Sequence, residues 1–531
     1  MKQTAFVALA ALLSGSAASA QVFRTIDGSG NNPLDPEMGQ ADTPLLRAGA
    51  PDYGDGLGTP AGALRASARE VSNAVSSQTG AVPNAAFASD FLWQWGQFLD
   101  HDIDLSEGHD PAEPFDIPVP AGDPFFDPTG SGLEVIGLNR TVYEIDDAGV
   151  RQQVNQITAW IDASNVYGSD QARADELRRF DGTGKLKVTP DPNGDLLVLN
   201  LNGFPNAGGD SDTSLFLAGD VRANEQVGLA AMHTLFVREH NWLCDQLAGI
   251  YPGLSDELYY QIARALVAAE MQRITYKEFL PLLIGNVIPT YDGYDASLDG
   301  SISNEFSTAS YRFGHSLLSS SLQRLDANLQ VIPEGHLPLM DAFFNPSRII
   351  DEGGIDPLLR GLASQVCNAA DIFVVDDVRN FLFGMPGAGG FDLVSLNVQR
   401  GRDHGLPSYN STREAFGLDR KTSFAEVNSD PNVQAALASV YDTVDDIDAW
   451  VGGLAEDHVP GALVGELVQT VLADQFIRLR DGDRYFYKRY LPGVLQQFVD
   501  KQCLADVIRR NTGIGNEIQD NVFVVPNGTG G

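Results

Sequence analysis

Apolar residues recur at helical spacing across several long stretches of the chain, and two-residue alternation is scarce. The clearest stripe, over 226–247, aligns Leu229, Met232, His233, Phe236, His240, Leu243 and Leu247 on one face. A second helix is predicted over 256–279, ended by Pro281. Runs at 91–105, 304–322, 357–365, 433–441, 444–454 and 464–479 repeat the pattern, with a short one near 64–76. Strand signals are few and short, so a mainly α fold with long loops and little β is expected. Stretches 108–152 and 190–212, dense in Pro, Gly, Asn and Asp, read as those loops. Segment 157–166, ITAWIDASNV, has no clean helical period. The chain shows neither an internal repeat nor a linker that would divide it into independent domains.

The run FLWQWGQFLDHDIDL, 91–105, departs from a plain amphipathic helix. At i, i+4 spacing it stacks Gln97 with His101 and puts Asp100 on the neighbouring flank, among Phe91, Leu92, Trp95, Phe98 and Leu99. Burying an imidazole, an amide and carboxylates costs several kcal/mol unless each finds a partner. Such a cluster therefore marks either a ligand site or a functional one.

Composition narrows the setting. Residues 1–20 read as an export signal: Lys2, an apolar run from Ala5 to Leu13, then Ala18-Ser19-Ala20. A secreted or periplasmic location is expected. No later run reaches the ~20 apolar residues of a membrane-spanning helix. Residues 21–85, rich in Gly, Pro, Asp and Ala, read as an arm over the main body, which runs over 86–520 and leaves a tail at 521–531. A net charge of -36 disfavours nucleic acid and anionic membrane as partners and favours divalent cations. Cys244, Cys367 and Cys503 form neither a zinc pattern nor a disulfide framework; one disulfide with a free thiol, or three thiols, both fit.

The eight histidines include no HExxH and no close His/Cys group, so a conventional zinc site is disfavoured. His233 and His240 lie on a core stripe. His315, in SYRFGHSLL, follows Gly314, whose missing side chain would admit a flat group close to the backbone. Haem iron is commonly held by one such histidine tied to an acceptor behind it.

The motifs FLWQWGQFLDHDIDL, TAWIDASNVYGSD, FLAGDVRANEQVGLAAMHTLFVREHN, ITYKEFLPLLIG, SYRFGHSLL, LNVQRGRDHGLPSYN and RLRDGDRYFY occur in an order that resembles the animal-type haem peroxidases. The likeness runs from Phe91 to NTGI at 511–514, and implies a single large α-helical haem peroxidase domain over 86–520. It further implies His101 as the distal histidine, which shuttles the peroxide proton, and Arg222 as the distal arginine, which stabilises charge on the leaving oxygen. Gln97 would orient water, peroxide or a halide. Asp100 and Glu225 match the carboxylates that ester-link haem b, while Gln226 stands where myeloperoxidase has a methionine, so a third link is not expected. His315 matches the proximal iron ligand, Asn397 its hydrogen-bond acceptor, and Arg312 and Arg400 match partners of the propionates or the proximal network. Asp102, Thr158, the Trp160 carbonyl, Asp162 and Ser164 resemble a calcium site, with the hard oxygen donors that ion takes.

The superfamily also contains fatty-acid dioxygenases, whose radical tyrosine lies three residues before the proximal histidine. Arg312 occupies that position here, and Tyr311, one residue off, is rotated by ~100° on an α-helix. The resemblance therefore favours a peroxidase. It would reduce hydrogen peroxide and, through an oxoferryl intermediate, oxidise small donors such as iodide, bromide, thiocyanate or phenols. The alternatives are a fatty-acid dioxygenase and a matrix or adhesion protein that retains the fold without catalysis.

Overall fold

The computed structural model describes residues 22–526, so the export signal at 1–20 lies outside the described residues. Helices dominate. Those that build the site are α1 (Ala68–Val75), α2 (Phe91–Ile103), α3 (Val227–Ile250), α4 (Asp256–Ile274), α5 (Asn304–Thr308), α6 (Gly314–Leu317), α7 (Leu393–Asp403) and α8 (Glu466–Asp481). A small antiparallel sheet joins β1 (Thr43–Pro44), β2 (Tyr143–Ile145) and β3 (Arg151–Asn155) in the order β1-β3-β2. Thr43 pairs with Asn155, and Tyr143 with Gln153.

Helix α2 is the central element because it is buried nearly all round: Phe91, Leu92, Trp95, Phe98 and Leu99 are fully enclosed, as is Gln94. Phe98 stacks on Phe236 of α3 at 5.0 Å, one of several aromatic contacts that lock the two helices. Each such ring contributes about 1.5–3 kcal/mol on burial. Asn155 of β3 terminates α2: its Nδ2 donates to the Ile103 carbonyl at 2.8 Å, and its Oδ1 accepts from Leu105 N at 2.9 Å. The sheet thereby fixes where α2 stops, and with it the orientation of His101 and Asp102.

Three helical readings need correction. Pro281 does not end the helix begun at Asp256; α4 widens into a π turn at Thr275–Phe279 and resumes over Leu280–Leu283. Pro281 lacks the N–H that would bond the Lys277 carbonyl, and the wider turn carries the chain past it. The predicted helix over 304–322 is broken into α5, a 3-10 turn at Ser310–Phe313, and α6, with the interruption at Ala309 (φ -125°, ψ -73°). Tertiary bonds compete there: Arg312 Nε donates to the Ser307 carbonyl, and Trp450 Nε1 to the Arg312 carbonyl. Over 444–454 the helix forms only from Ala449.

Residues 22–67 drape over the helices with little regular structure. Asn31 Nδ2 donates to Asp483, Arg264 to the Thr25 carbonyl and Arg47 to the His404 carbonyl, at 2.9, 2.9 and 2.8 Å. At the other end Phe523 packs its ring on Phe91 and Trp95, and Val525 N bonds the Phe87 carbonyl. Cys244, Cys367 and Cys503 are separate free thiols.

Candidate active site

A cavity of about 370 Å³ opens between α2, the loop before α3, the 310–317 segment and α7. Gln97, Asp100 and His101 reach it from α2, and Arg222, Glu225 and Gln226 from the loop. Arg312 and His315 come from the broken helix, Asn397 and Arg400 from α7. Residues over 300 positions apart in sequence are thus gathered round one space. Trp93, Phe313, Leu318, Phe343, Leu382 and Leu396 supply apolar wall.

A buried carboxylate that the motif reading did not single out organises the α2 side. Asp220 binds the Arg222 guanidinium twice, Nε to Oδ1 and Nη2 to Oδ2, each at 2.9 Å. Its Oδ1 also lies 3.4 Å from His101 Nδ1. A further Arg222 bond runs from Nη2 to the Asp104 carbonyl at 2.8 Å, and its Nη1 faces Asp100 at 3.3 Å. One anion therefore holds the cation and lies beside the imidazole, whose Nδ1 makes no hydrogen bond. The Asp-x-Arg spacing in GDVRANE carries a sequence signal for half of this, since Arg222 N also bonds Asp220 Oδ1 at 2.8 Å in a local turn. Contact with His101 has no local signal.

Burial, reinforced by Arg222, holds the His101 pKa well below 6.5, so the ring is neutral and able to accept a proton. Burial pushes Glu225 up to about 7, and burial with Asp104 does the same for Asp100 despite its contact with Arg222. Arg222 and its neighbours keep Asp220 ionised. Gln226 caps α3 through Gly228 N at 2.6 Å while its Nε2 donates to Gln94 and Gln97 at 2.7 and 3.1 Å. Gln97 in turn donates to Glu225 at 3.1 Å. The residue at the departing position is the hub of an amide chain that fixes Gln97.

Around His315, Asn397 approaches Nδ1 at 2.8 Å, but through its Nδ2, because its Oδ1 accepts from Arg312 Nη1 at 3.3 Å. Asn397 is the donor in this arrangement, and a half-turn of its carboxamide restores the acceptor that an Nδ1–H imidazole needs. Burial and Arg312 push His315 down to about 3, leaving it neutral. Arg400 spends Nη1 on the Asn139 carbonyl, Thr141 and Asp403. Tyr311 also borders the cavity, which the rotation argument for a continuous α-helix does not anticipate; it lies in a 3-10 turn that follows the break at Ala309. Its buried hydroxyl has no partner. His233 and His240 are core residues, bonded to the Asn165 carbonyl and to Tyr167.

The sequence matches the family model for the animal haem peroxidase domain over residues 23–523. The chain belongs to the animal haem peroxidases. Peroxinectin A of Dictyostelium discoideum is 36% identical over 525 residues, covering 96% of this chain and 97% of that protein. Drosophila melanogaster peroxidasin is also 36% identical, but the chain spans only 36% of its length. Among solved structures, Peroxidase A from Dictyostelium discoideum superposes with a TM-score of 0.88 at 35% identity, covering 95% of this chain and 100% of the other. The fatty acid alpha-dioxygenase of Arabidopsis thaliana shares the fold, with a TM-score of 0.81 at 21% identity and coverage of 95% and 83%. The peroxidase is therefore an oxidoreductase with a mainly helical single peroxidase domain.

The cavity fits the haem that the family implies. With the Asn397 carboxamide turned so that its Oδ1 accepts from an Nδ1–H, neutral His315 keeps Nε2 for a ligand, and a Cβ added at Gly314 would meet no protein atom within 4 Å. The carbonyl-and-carboxylate loop of this peroxidase also fits a cation. Asp102 Oδ2 accepts from Ala163 N at 3.2 Å; Asp162 Oδ1 accepts from Thr158 Oγ1 and Ser164 N, each at 3.1 Å. Ala163 adopts φ +66° to make that turn. Asp102 Oδ1 and Asp162 Oδ2 are buried without hydrogen-bond partners, and burial raises both pKa values. Ser164 Oγ donates to the Asp102 carbonyl at 2.7 Å, and Trp160 is fully buried in the same loop. Among the described residues no three His, Cys, Asp or Glu side chains converge, so a cation here would draw on neutral oxygens as well.

Proposed function

We propose that this animal haem peroxidase, exported to a periplasm or beyond the cell, reduces hydrogen peroxide and oxidises small donors such as iodide, bromide, thiocyanate or phenols. Haem b, which His315 would hold, would supply the iron that exchanges electrons with peroxide and donor. Among the described residues no helix is long and apolar enough to cross a membrane.

The chain's own groups do the proton work. Neutral His101 takes the proton from the bound peroxide and returns it to the departing oxygen. Arg222, held by Asp220, offsets the negative charge that develops there; one such donor is worth about 10²–10³ in rate. Gln97, pinned by Gln226, orients the small molecule. Asp100 and Glu225 are the carboxyls that would form ester links, and both border the cavity in a readily protonated state. Asp102, Thr158, Trp160, Asp162 and Ser164 would hold calcium directly behind His101, which would fix the end of α2.

The observation that carries this reading is the shared wall of His101 and Arg222 on one carboxylate, facing the same cavity as neutral His315. A dioxygenase has the fold in its favour and the unpartnered Tyr311 phenol in the cavity, but Arg312 occupies the radical position. The test is steady-state oxidation of chloride, bromide, iodide, thiocyanate and a phenolic dye with peroxide, alongside oxygen uptake with a fatty acid. Mass analysis of the denatured protein reads retained haem. A Soret band with peroxide-dependent iodide and dye oxidation supports the proposal. Haem with fatty-acid oxygenation alone favours the dioxygenase, and no haem and no turnover favours the non-catalytic alternative.

A further inference from the structure

A second cavity, of about 460 Å³, lies beside the π turn of the helix begun by α4, away from the haem cavity. Tyr276, Tyr291 and Phe486 form its aromatic wall, and Lys277, Arg480 and Lys488 its basic rim. The Arg480 guanidinium stands 5.9 Å from the Tyr276 ring and 5.6 Å from the Tyr291 ring. Arg480 is paired with Asp481 and Lys488 with Asp500, whereas exposed Lys277 makes no ion pair among the described residues. In a chain of net charge -36, this is an unusual concentration of cations around aromatic faces. The π turn itself projects Tyr276, and such bulges often mark functional positions.

The two cavities are joined by rings. Tyr276 contacts Phe476 of α8 at 6.2 Å between centroids, and Phe476 contacts Tyr311 at 5.8 Å. Tyr311 stacks on Phe306 at 4.6 Å and borders the haem cavity. Toward the second cavity, Tyr276 meets Phe486 at 5.6 Å, and Phe486 meets Tyr291 at 4.8 Å. An unbroken aromatic file thus runs from the haem-cavity wall to the basic rim. Tyr276 and Tyr311 are the phenols on either side of Phe476, and Tyr291 closes the file at the second cavity. A packing role alone explains the rings. It does not explain why they end at a cation-rimmed cavity of ligand size.

We propose that this cavity is a second donor site, where anionic phenols too large for the haem cavity are oxidised through Tyr276, Phe476 and Tyr311. The proposal rests on the peroxidase reading above. Tyr276, whose hydroxyl proton stays in the 2.8 Å bond to the Phe476 carbonyl, relays one electron inward along the file. The bound phenol supplies that electron and gives its phenolic proton to water in the cavity; the donor O–H bond breaks and a phenoxyl radical leaves. Two such cycles supply the two electrons that reduce one hydrogen peroxide, with two protons, to two waters. Lys277, Arg480 and Lys488 select donors that carry a carboxylate or sulfonate beside the phenol.

The test uses the haem-loaded full chain and two variants that leave the core intact, Tyr276→Phe and Lys277→Glu. The donors are iodide and a sulfonated phenolic dye. Tyr276→Phe should lower kcat for the dye by about tenfold or more, and Lys277→Glu should raise its KM, with iodide oxidation and the Soret band unchanged. Peroxide added without donor should give a tyrosyl radical signal by electron paramagnetic resonance that is altered in Tyr276→Phe, where Tyr311 is left as the phenol nearest the haem cavity. Equal rates for the dye in all three proteins, a parallel fall for iodide and dye, or an unaltered radical signal would each overturn the second site. Absence of peroxide-dependent iodide oxidation in the unaltered protein would instead sink the peroxidase reading, and the second site with it.

Discussion

Replacing Asp220 with Asn isolates the group on which the distal side depends. The carboxylate accepts two Arg222 bonds of 2.9 Å and lies 3.4 Å from His101 Nδ1. Asn keeps the shape, removes the charge, and turns an N–H donor toward a guanidinium that has only donors. The attraction lost is about 4 kcal/mol for unit charges ~4 Å apart at an effective dielectric near 20. Asp100, 3.3 Å from Arg222 with its pKa raised to about 7, ionises more fully once Asp220 is neutral and recovers part of that. The Asp104 carbonyl bond survives. A net loss of about 2–3 kcal/mol is expected, below the full cost of breaking an isolated buried pair. The kinetic effect is larger in proportion, since both proton acceptor and positive charge lose their positioning, and the rate with peroxide should drop by about 10²–10³. Urea unfolding reads the first quantity, and stopped-flow mixing of haem-matched proteins with peroxide the second. An Asp220→Asn protein that unfolds at the same urea concentration and reacts at the same rate would refute the role given to this carboxylate.

Three further outcomes follow from the same geometry. Because His101 must be neutral to accept a proton and its pKa is held well below 6.5, the rate with peroxide should stay level as pH falls through 6.5 and decline only in more acid solution; a half-point at 6.5 contradicts the burial argument. Chelation of calcium, or Asp162→Ala, should lower the melting temperature, with saturating calcium worth about 2.7 kcal/mol at a hundredfold excess over Kd. Elemental analysis that finds no calcium, together with melting indifferent to chelator, would remove the ion from the account. Gly314→Leu should leave the stability of the haem-free chain within about 0.5 kcal/mol, since the added side chain meets open space, yet abolish the Soret band. Normal haem uptake by that variant would move the cofactor elsewhere.

The long helices and the residues of the haem cavity were legible in the sequence for different reasons. Helix α3 shows in periodicity alone, because one face meets the core over its whole length. The cavity residues show through ordered motifs; nothing local tells that His101 and His315 share a space. What escaped depends on contacts that sequence neighbours cannot report. The break at Ala309 is set by the bonds of Arg312 and by Trp450, remote in the chain, and it brings Tyr311 to the cavity edge. The Pro281 residue reads as a stop, but a π turn costs less than ending a helix whose far side is already packed. Asp220 reaches His101 across more than a hundred residues.

The central claim is that His101 and His315 serve one haem from separate elements, with His101 as the proton acceptor for peroxide. The direct measurement is the stopped-flow rate of peroxide reaction for His101→Ala, in protein shown by its Soret band to hold haem. The account predicts retained haem and a rate reduced by about 10²–10⁴. An unchanged rate with haem bound would contradict it.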